Sequence, residues 1–380
     1  PMARTPVEDH DVIVFVRLPF CMREYEGDPY KTTHAGKQAR ERYLDALDRE
    51  MRASADLFEG KRVRAIYVGG GEASAVDPNR LARILLEFRR RVDHVRGVEL
   101  SLRLAPPAVN SPLLSTLGMC NYTRVVLSSL ATTEQQLEAV GSPHTSRELA
   151  TAIECLGMFN VPSIDNELFY GIPGQTETSL RNAAVVASGG LGMAHVTLRP
   201  YTGKGANTVP KAELRAQFEA AATYLKEGGY NGYAAESFAR PGFECDYTRC
   251  EALGVDRIGF GLGARSFVNG MSWRNTTDLG KYVAGSHDFT AVTEDVASWD
   301  EMSLARRFIC GRLALKEGFD RVELTYRFPS SVDGLGPVWD RLEQAGLACA
   351  EGDAVRPTEE GLRDRVAVER VLWEGHGGQG

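Results

Sequence analysis

No stretch of the chain approaches the ~18 consecutive apolar residues that a membrane-spanning helix needs, so no such helix is expected. Residues 1–10 carry neither a basic stretch nor an apolar core, which argues against a secretory signal and points to the cytoplasm. Cysteine is scarce, with seven in 380 residues, at Cys21, Cys120, Cys155, Cys245, Cys250, Cys310 and Cys349. That scatter predicts no disulfide framework and buried thiols at most positions. Positive charge is dispersed as well: the densest basic run is 89–91 and the net charge is −7, so nucleic acid is not an expected partner. There is no internal repeat and no low-complexity tract apart from the glycine-rich tail.

What is there is ordinary globular material, 43% hydrophobic and 25% charged, in a chain long enough for one large α/β domain and a smaller one. Short β-branched runs at 11–16, 65–68, 98–104, 124–128, 163–169 and 195–198 alternate with helical periodicity at 38–57, 79–91, 133–140, 144–159, 177–188 and 212–227. Six such units fall short of the eight of a closed barrel, which takes about 250 residues. The expected fold is therefore α/β, an incomplete six-unit (β/α) TIM-like barrel over 11–202, with an extension at 203–290 covering its gap. Residues 291–373 read as a winged-helix-like α+β cap, with helices at 299–315, 338–344 and 359–372 around a strand-and-turn region at 349–358. Residues 1–10 are expected to be disordered and 374–380 to form a flexible tail.

In parallel βα barrels the chemistry sits at the carboxyl ends of the strands. Three such ends stand out. The first strand runs into Arg17-Leu18-Pro19-Phe20-Cys21-Met22-Arg23-Glu24-Tyr25-Glu26-Gly27-Asp28. The second runs into Gly69-Gly70-Gly71-Glu72, where glycines let backbone approach a ligand and a carboxylate can hold an ammonium group. The fifth runs into Tyr170-Gly171-Ile172-Pro173-Gly174. Each alone is also an ordinary turn between strand and helix.

Together, in this order, they resemble the radical S-adenosylmethionine superfamily, in the branch of oxygen-independent coproporphyrinogen III oxidases and haem chaperones. The segments Val140-Gly141-Ser142-Pro143-His144-Thr145, Phe238-Ala239-Arg240-Pro241-Gly242 and Gly259-Phe260-Gly261-Leu262-Gly263 extend the resemblance over about 11–372. It implies that the first loop binds an iron–sulfur cluster, that Gly69, Gly70, Gly71 and Glu72 hold the amino group of S-adenosylmethionine, and that Tyr170, Gly171, Ile172 and Pro173 lie against its adenine.

The chain departs from the family where the chemistry is hardest. Of three cluster cysteines only Cys21 is present, and the other two positions read Tyr25 and Asp28. A phenol and a carboxylate are poor substitutes for thiolates, so no [4Fe–4S] cluster and no metal site are expected; a site gathering Cys21, Cys245 and Cys250 is the alternative. Where the family has Glu, Arg, Gln and Asp against the methionine moiety, this chain has Arg103, Ser142, Leu130 and Glu167. Arg103 suits the cofactor's carboxylate or, in a decayed pocket, pairs with a neighbouring acid such as Glu99.

These residues lead to an expectation of S-adenosylmethionine as cofactor and of polar alkyl or methyl transfer, or cyclisation, on a small metabolite. The catalytic candidates are Glu167, Asp28 and Tyr25 as bases, with Arg103 and Ser142 holding the cofactor. The alternative is a non-catalytic haem- or tetrapyrrole-binding protein, with Cys21, His144 or Met22 as possible iron ligands, or a regulatory pseudoenzyme. His144 also reads as a cap or packing residue at a helix start.

Overall fold

The computed structural model describes residues 6–22, 35–190 and 192–374. Most of the expected flexible tail and half of the expected disordered start lie outside them, as do Tyr25 and Asp28.

Six strands occupy the expected places: β1 Asp11–Arg17, β2 Arg62–Gly69, β3 His94–Leu104, β4 Arg124–Leu130, β5 Ile164–Tyr170 and β6 Met193–Pro200. Each pairs in parallel with the next. β1 shows why: Asp-Val-Ile-Val-Phe-Val is buried on both faces over most of its length, as a strand flanked by neighbours and covered by helices must be. The intervening helices begin on local chemistry. Asp77 caps Pro78–Arg91 by accepting from the Arg80 amide at 2.8 Å, and three arginines close that helix at its negative end. Thr145 and Glu148 form a reciprocal capping box for Ser146–Met158.

Segment 203–290, expected to cover the gap, contributes strands to both edges of the sheet. β7 Asn231–Ala234 and β8 Ser237–Ala239 pair antiparallel beyond β6, while β9 Asp256–Phe260 runs parallel to β1 on its other side. β10 Arg265–Val268, β11 Met271–Asn275 and β12 Thr293–Ser298 continue antiparallel from β9. The result is one twelve-stranded sheet with β12 and β7 at its ends, not a closed ring.

The carboxyl-terminal unit packs helices Glu301–Arg312, Arg321–Arg327 and Gly336–Gln344 on a small antiparallel sheet of β13 Phe319–Asp320, β14 Ala348–Glu351 and β15 Ala354–Pro357. Its own core includes Ile309, Leu324, Leu342, Val355 and Leu372. The single helix expected at 359–372 is two, Glu359–Arg363 and Arg365–Trp373. Asp364 breaks the run and caps the second helix by accepting from the Ala367 amide at 2.9 Å.

Candidate functional site

The glycine run after β2 is built for contact with the first loop. A Cβ on Gly71 would stand 2.1 Å from the Leu18 carbonyl oxygen and 2.5 Å from that of Phe20, and Gly70 has φ +71. Only glycine fits this crossing. The Glu72 amide donates to the Phe20 carbonyl at 2.9 Å, and the Met22 amide donates to Glu72 Oε2 at 3.2 Å. Gly70, Gly71 and Glu72 thus clamp the stretch leading to Cys21 and Met22.

Arg103 and Glu167 come together across the barrel interior. Arg103 Nε and Nη2 donate to Glu167 Oε2 at 3.0 and 2.9 Å, and Nη1 reaches the Gly71 carbonyl at 3.4 Å. Arg199 on β6 takes the other carboxylate oxygen. Burial pushes the Glu167 carboxyl upward, but the two guanidiniums outweigh it and hold the group below its ordinary value. A carboxylate held ionised between two cations is a weaker proton acceptor than a free one.

The loop after β5 is satisfied from within. The Gly171 amide donates to the side-chain oxygens of Gln175 and Gln217, at 2.8 and 2.9 Å, and Gln175 Nε2 donates back to the Phe169 carbonyl at 3.1 Å. Ile172 is fully buried in a cluster with Leu130, Phe169 and Tyr201. Tyr170 packs edge-on to Phe218, with centroids 5.4 Å apart, and Pro173 lies against the Gly205 turn. Leu130 takes φ +59 with its side chain in the same cluster.

Ser142 is bonded to His144. Its hydroxyl lies 3.2 Å from His144 Nδ1, and His144 Nε2 lies 3.1 Å from the Ser129 carbonyl. Facing a carbonyl, Nε2 carries the ring proton, which leaves the lone pair on Nδ1 beside the Ser142 hydroxyl, in a residue 5% exposed.

Sequence reasoning missed a second polar layer nearer the amino ends of the strands. Glu99 pairs with Arg124 at 3.2 Å, not with Arg103. It also accepts the Cys245 thiol at 3.2 Å and the amides of Asp246 and Tyr247. Asp165 Oδ1 lies 2.8 Å from His195 Nδ1, and His195 Nε2 lies 2.9 Å from the Tyr233 hydroxyl. Burial again acts against the Asp165 charge, and His195 and Arg124 prevail, holding its carboxyl low. Between the layers lies a cavity of about 360 Å³, lined by Asp165, Glu167, Arg199 and Glu236 among others. The signal was present: polar residues recur at every second place in Glu99-Leu100-Ser101-Leu102-Arg103, Asp165-Asn166-Glu167 and His195-Val196-Thr197-Leu198-Arg199.

Cys245 and Cys250 pack against Ile13 and Ala65 near the beginnings of their strands, whereas Cys21 follows the end of β1. Burial pushes both of those thiols above their ordinary value, against the thiolate form a metal needs. The three do not converge, and no metal-holding group of three or more His, Cys, Asp or Glu exists among the described residues. Cys21, Cys245 and Cys250 do not together make a site for an iron–sulfur cluster.

No protein-family model matches the chain. It is 24% identical to the heme chaperone HemW of Lactococcus lactis over 298 residues, spanning 75% of this chain and 77% of that one. It is 22% identical to the heme chaperone HemW of Escherichia coli over 369 residues, 92% and 94% of the two chains. It is 24% identical to the anaerobilin synthase of E. coli O157:H7 over 375 residues, 92% and 81%. Among solved structures it matches coproporphyrinogen III oxidase (HemN) from E. coli, described as a radical SAM enzyme, with TM-score 0.80 and 17% identity over 96% of this chain and 90% of that one. The α/β barrel-like fold expected from the sequence is thereby established.

The same similarities correct three expectations. None of these relatives is named as a non-radical S-adenosylmethionine transferase or cyclase; they are heme chaperones, a synthase and a radical SAM enzyme. The transferase falls, and with it the assignment as an enzyme. Arg103, expected to take a cofactor carboxylate, is bound to Glu167, and Glu72, expected to take an ammonium, holds the Met22 amide. The cofactor set of S-adenosylmethionine without a [4Fe–4S] cluster falls with the transferase, because the relatives matched by sequence are named as heme chaperones and an anaerobilin synthase and none as a protein using that set.

Proposed function

For a chain that is HemW- and HemN-like within the radical S-adenosylmethionine superfamily, we propose binding of haem, as a tetrapyrrole-binding protein of the cytoplasm and not as a transferase. One observation carries this: the match to a heme chaperone runs nearly end to end in both chains, over 92% of this one and 94% of the other. The barrel interior supports it. Three carboxylates there, Glu99, Asp165 and Glu167, are tied to guanidiniums or to an imidazole, so none of these three is poised as a base.

The test is a haemin titration of the full chain under reducing conditions, read at the Soret band against haemin in buffer. A saturable shift at one equivalent is expected. A titration that superimposes on free haemin at every ratio refutes the proposal.

A further inference from the structure

Where β10, β11 and β12 meet the last helix, Arg365–Trp373, the surface folds into a cleft of about 830 Å³, within the range of small-molecule and cofactor sites. Three of the chain's four tryptophans line it: Trp273, Trp299 and Trp373. Trp299 stands edge-on to Trp373, centroids 5.8 Å apart at 88°, and edge-on to Phe267 at 5.4 Å and 89°. Val296 and Val366, 60% and 67% exposed, add apolar surface at its margin. Trp273 is only 8% exposed, and its indole N–H, inside the protein, has no acceptor. An unmet buried donor costs free energy until a ligand or water supplies one.

The charges in the cleft are unbalanced. Arg257 is paired with Glu251, and Arg274 with Glu294 and Asp295. Arg265, Arg307 and Arg370 also line the cleft, as does Glu369, but among the described residues no ion pair joins an acid to any of these three arginines; Arg307 lies 4.0 Å over the Phe267 ring. Burial and the neighbouring Arg257 act against the Arg307 charge and outweigh the support from Glu251 and Asp256, so a further anion beside it is favoured. Flat aromatic walls with unneutralised guanidiniums suit a planar, largely apolar ring system that carries carboxylates. None of the described residues lining the cleft is a histidine, cysteine or methionine, so the ring's metal would receive no protein ligand there.

We propose that this cleft is the tetrapyrrole site, gripping the ring on Trp299 and Trp373 and the propionates through Arg265, Arg307 and Arg370, without ligating the metal. The assignment rests on the haem-binding function proposed above and locates it.

The experiment titrates the full chain with haemin, with metal-free protoporphyrin IX and with protoporphyrin IX dimethyl ester, following tryptophan quenching. Haemin and protoporphyrin should bind within about threefold of each other, and the ester and an Arg307→Glu/Arg370→Glu variant should each weaken binding at least about tenfold, the equivalent of 1.4 kcal/mol. If haemin binds but the free-acid porphyrin is tenfold weaker, iron ligation dominates and the cleft is the wrong place. If the ester binds as well as the acid, the arginine grip is refuted even should the double variant fail to fold. Haemin bound equally by wild type and a folded double variant rejects the cleft while sparing the haem-binding function, whereas no haemin bound by the wild type removes both.

Discussion

Arg103 reaches from β3 to β5 and takes one oxygen of Glu167 through both Nε and Nη2, with neither side chain more than 2% exposed. Arg199 holds the other oxygen, so a buried carboxylate sits between two guanidiniums. Removing one of the three leaves a buried charge with one partner fewer, in a medium that solvates it poorly.

Arg103→Ala, which leaves Glu167 with Arg199 alone, should lower the unfolding free energy by roughly 1.5–3 kcal/mol in urea denaturation, the range for hydrogen bonds to a charged group. Replacing both Arg103 and Glu167 by methionine should cost less than the single change, because no unpaired charge remains between them. A single-variant loss under about 1 kcal/mol would show that the pair is solvated, contrary to its burial.

His144→Ala should leave haemin affinity within about twofold of wild type while lowering stability by roughly 1–3 kcal/mol, the cost of unmet buried partners. The imidazole is committed to Ser142 and the Ser129 carbonyl. A loss of the Soret shift in this variant would make His144 the iron ligand after all.

Glu50 gives a pH dependence of defined sign. Its carboxylate, enclosed by the Tyr282 hydroxyl, the Gly261 amide and Asn275 Nδ2, is pushed by burial up to about 7 from an ordinary value of 4.5. The native state thus holds this proton more tightly than the unfolded chain. Its contribution is complete below pH 4.5, shrinks as pH rises and is gone above about 7, a change of order 3 kcal/mol. In Glu50→Gln the slope from pH 4.5 to 7 should flatten, and the Asn275 side-chain oxygen, which has no partner, can accept from the new amide. An unchanged slope in chemical denaturation across that window would exclude Glu50 as its source.

Gly71→Ala should destabilise by roughly 1–3 kcal/mol and shift the Leu18 to Met22 stretch, since the new methyl meets two carbonyl oxygens. Gly118→Ala, at the end of helix Ser111–Gly118 with nothing within 4 Å, should be neutral or stabilise by up to about 1 kcal/mol. Thermal melts of the two variants moving together would contradict the packing of the glycine run.

The main elements were legible because their signals are local. Alternating β-branched residues mark β1 to β6 and helical periodicity marks the helices between them, while the caps Asp77 and Thr145 act within three residues of their helix starts. The strands β7 to β12 were not legible: they are short, and each becomes a strand only by pairing with an edge already formed. Asp364 was missed for a related reason, since the helical periodicity continues across the break that it caps.

From sequence alone came the barrel-like order of strands and the three turns at their ends, because periodicity, caps and glycines act over a few residues. Tertiary structure alone decided that Arg103 meets Glu167 while Glu99 meets Arg124, and that Trp273, Trp299 and Trp373 share one cleft. Such partners depend on strand register and on the packing of segments up to a hundred positions apart. A one-residue slip would turn every one of those strand side chains to the opposite face.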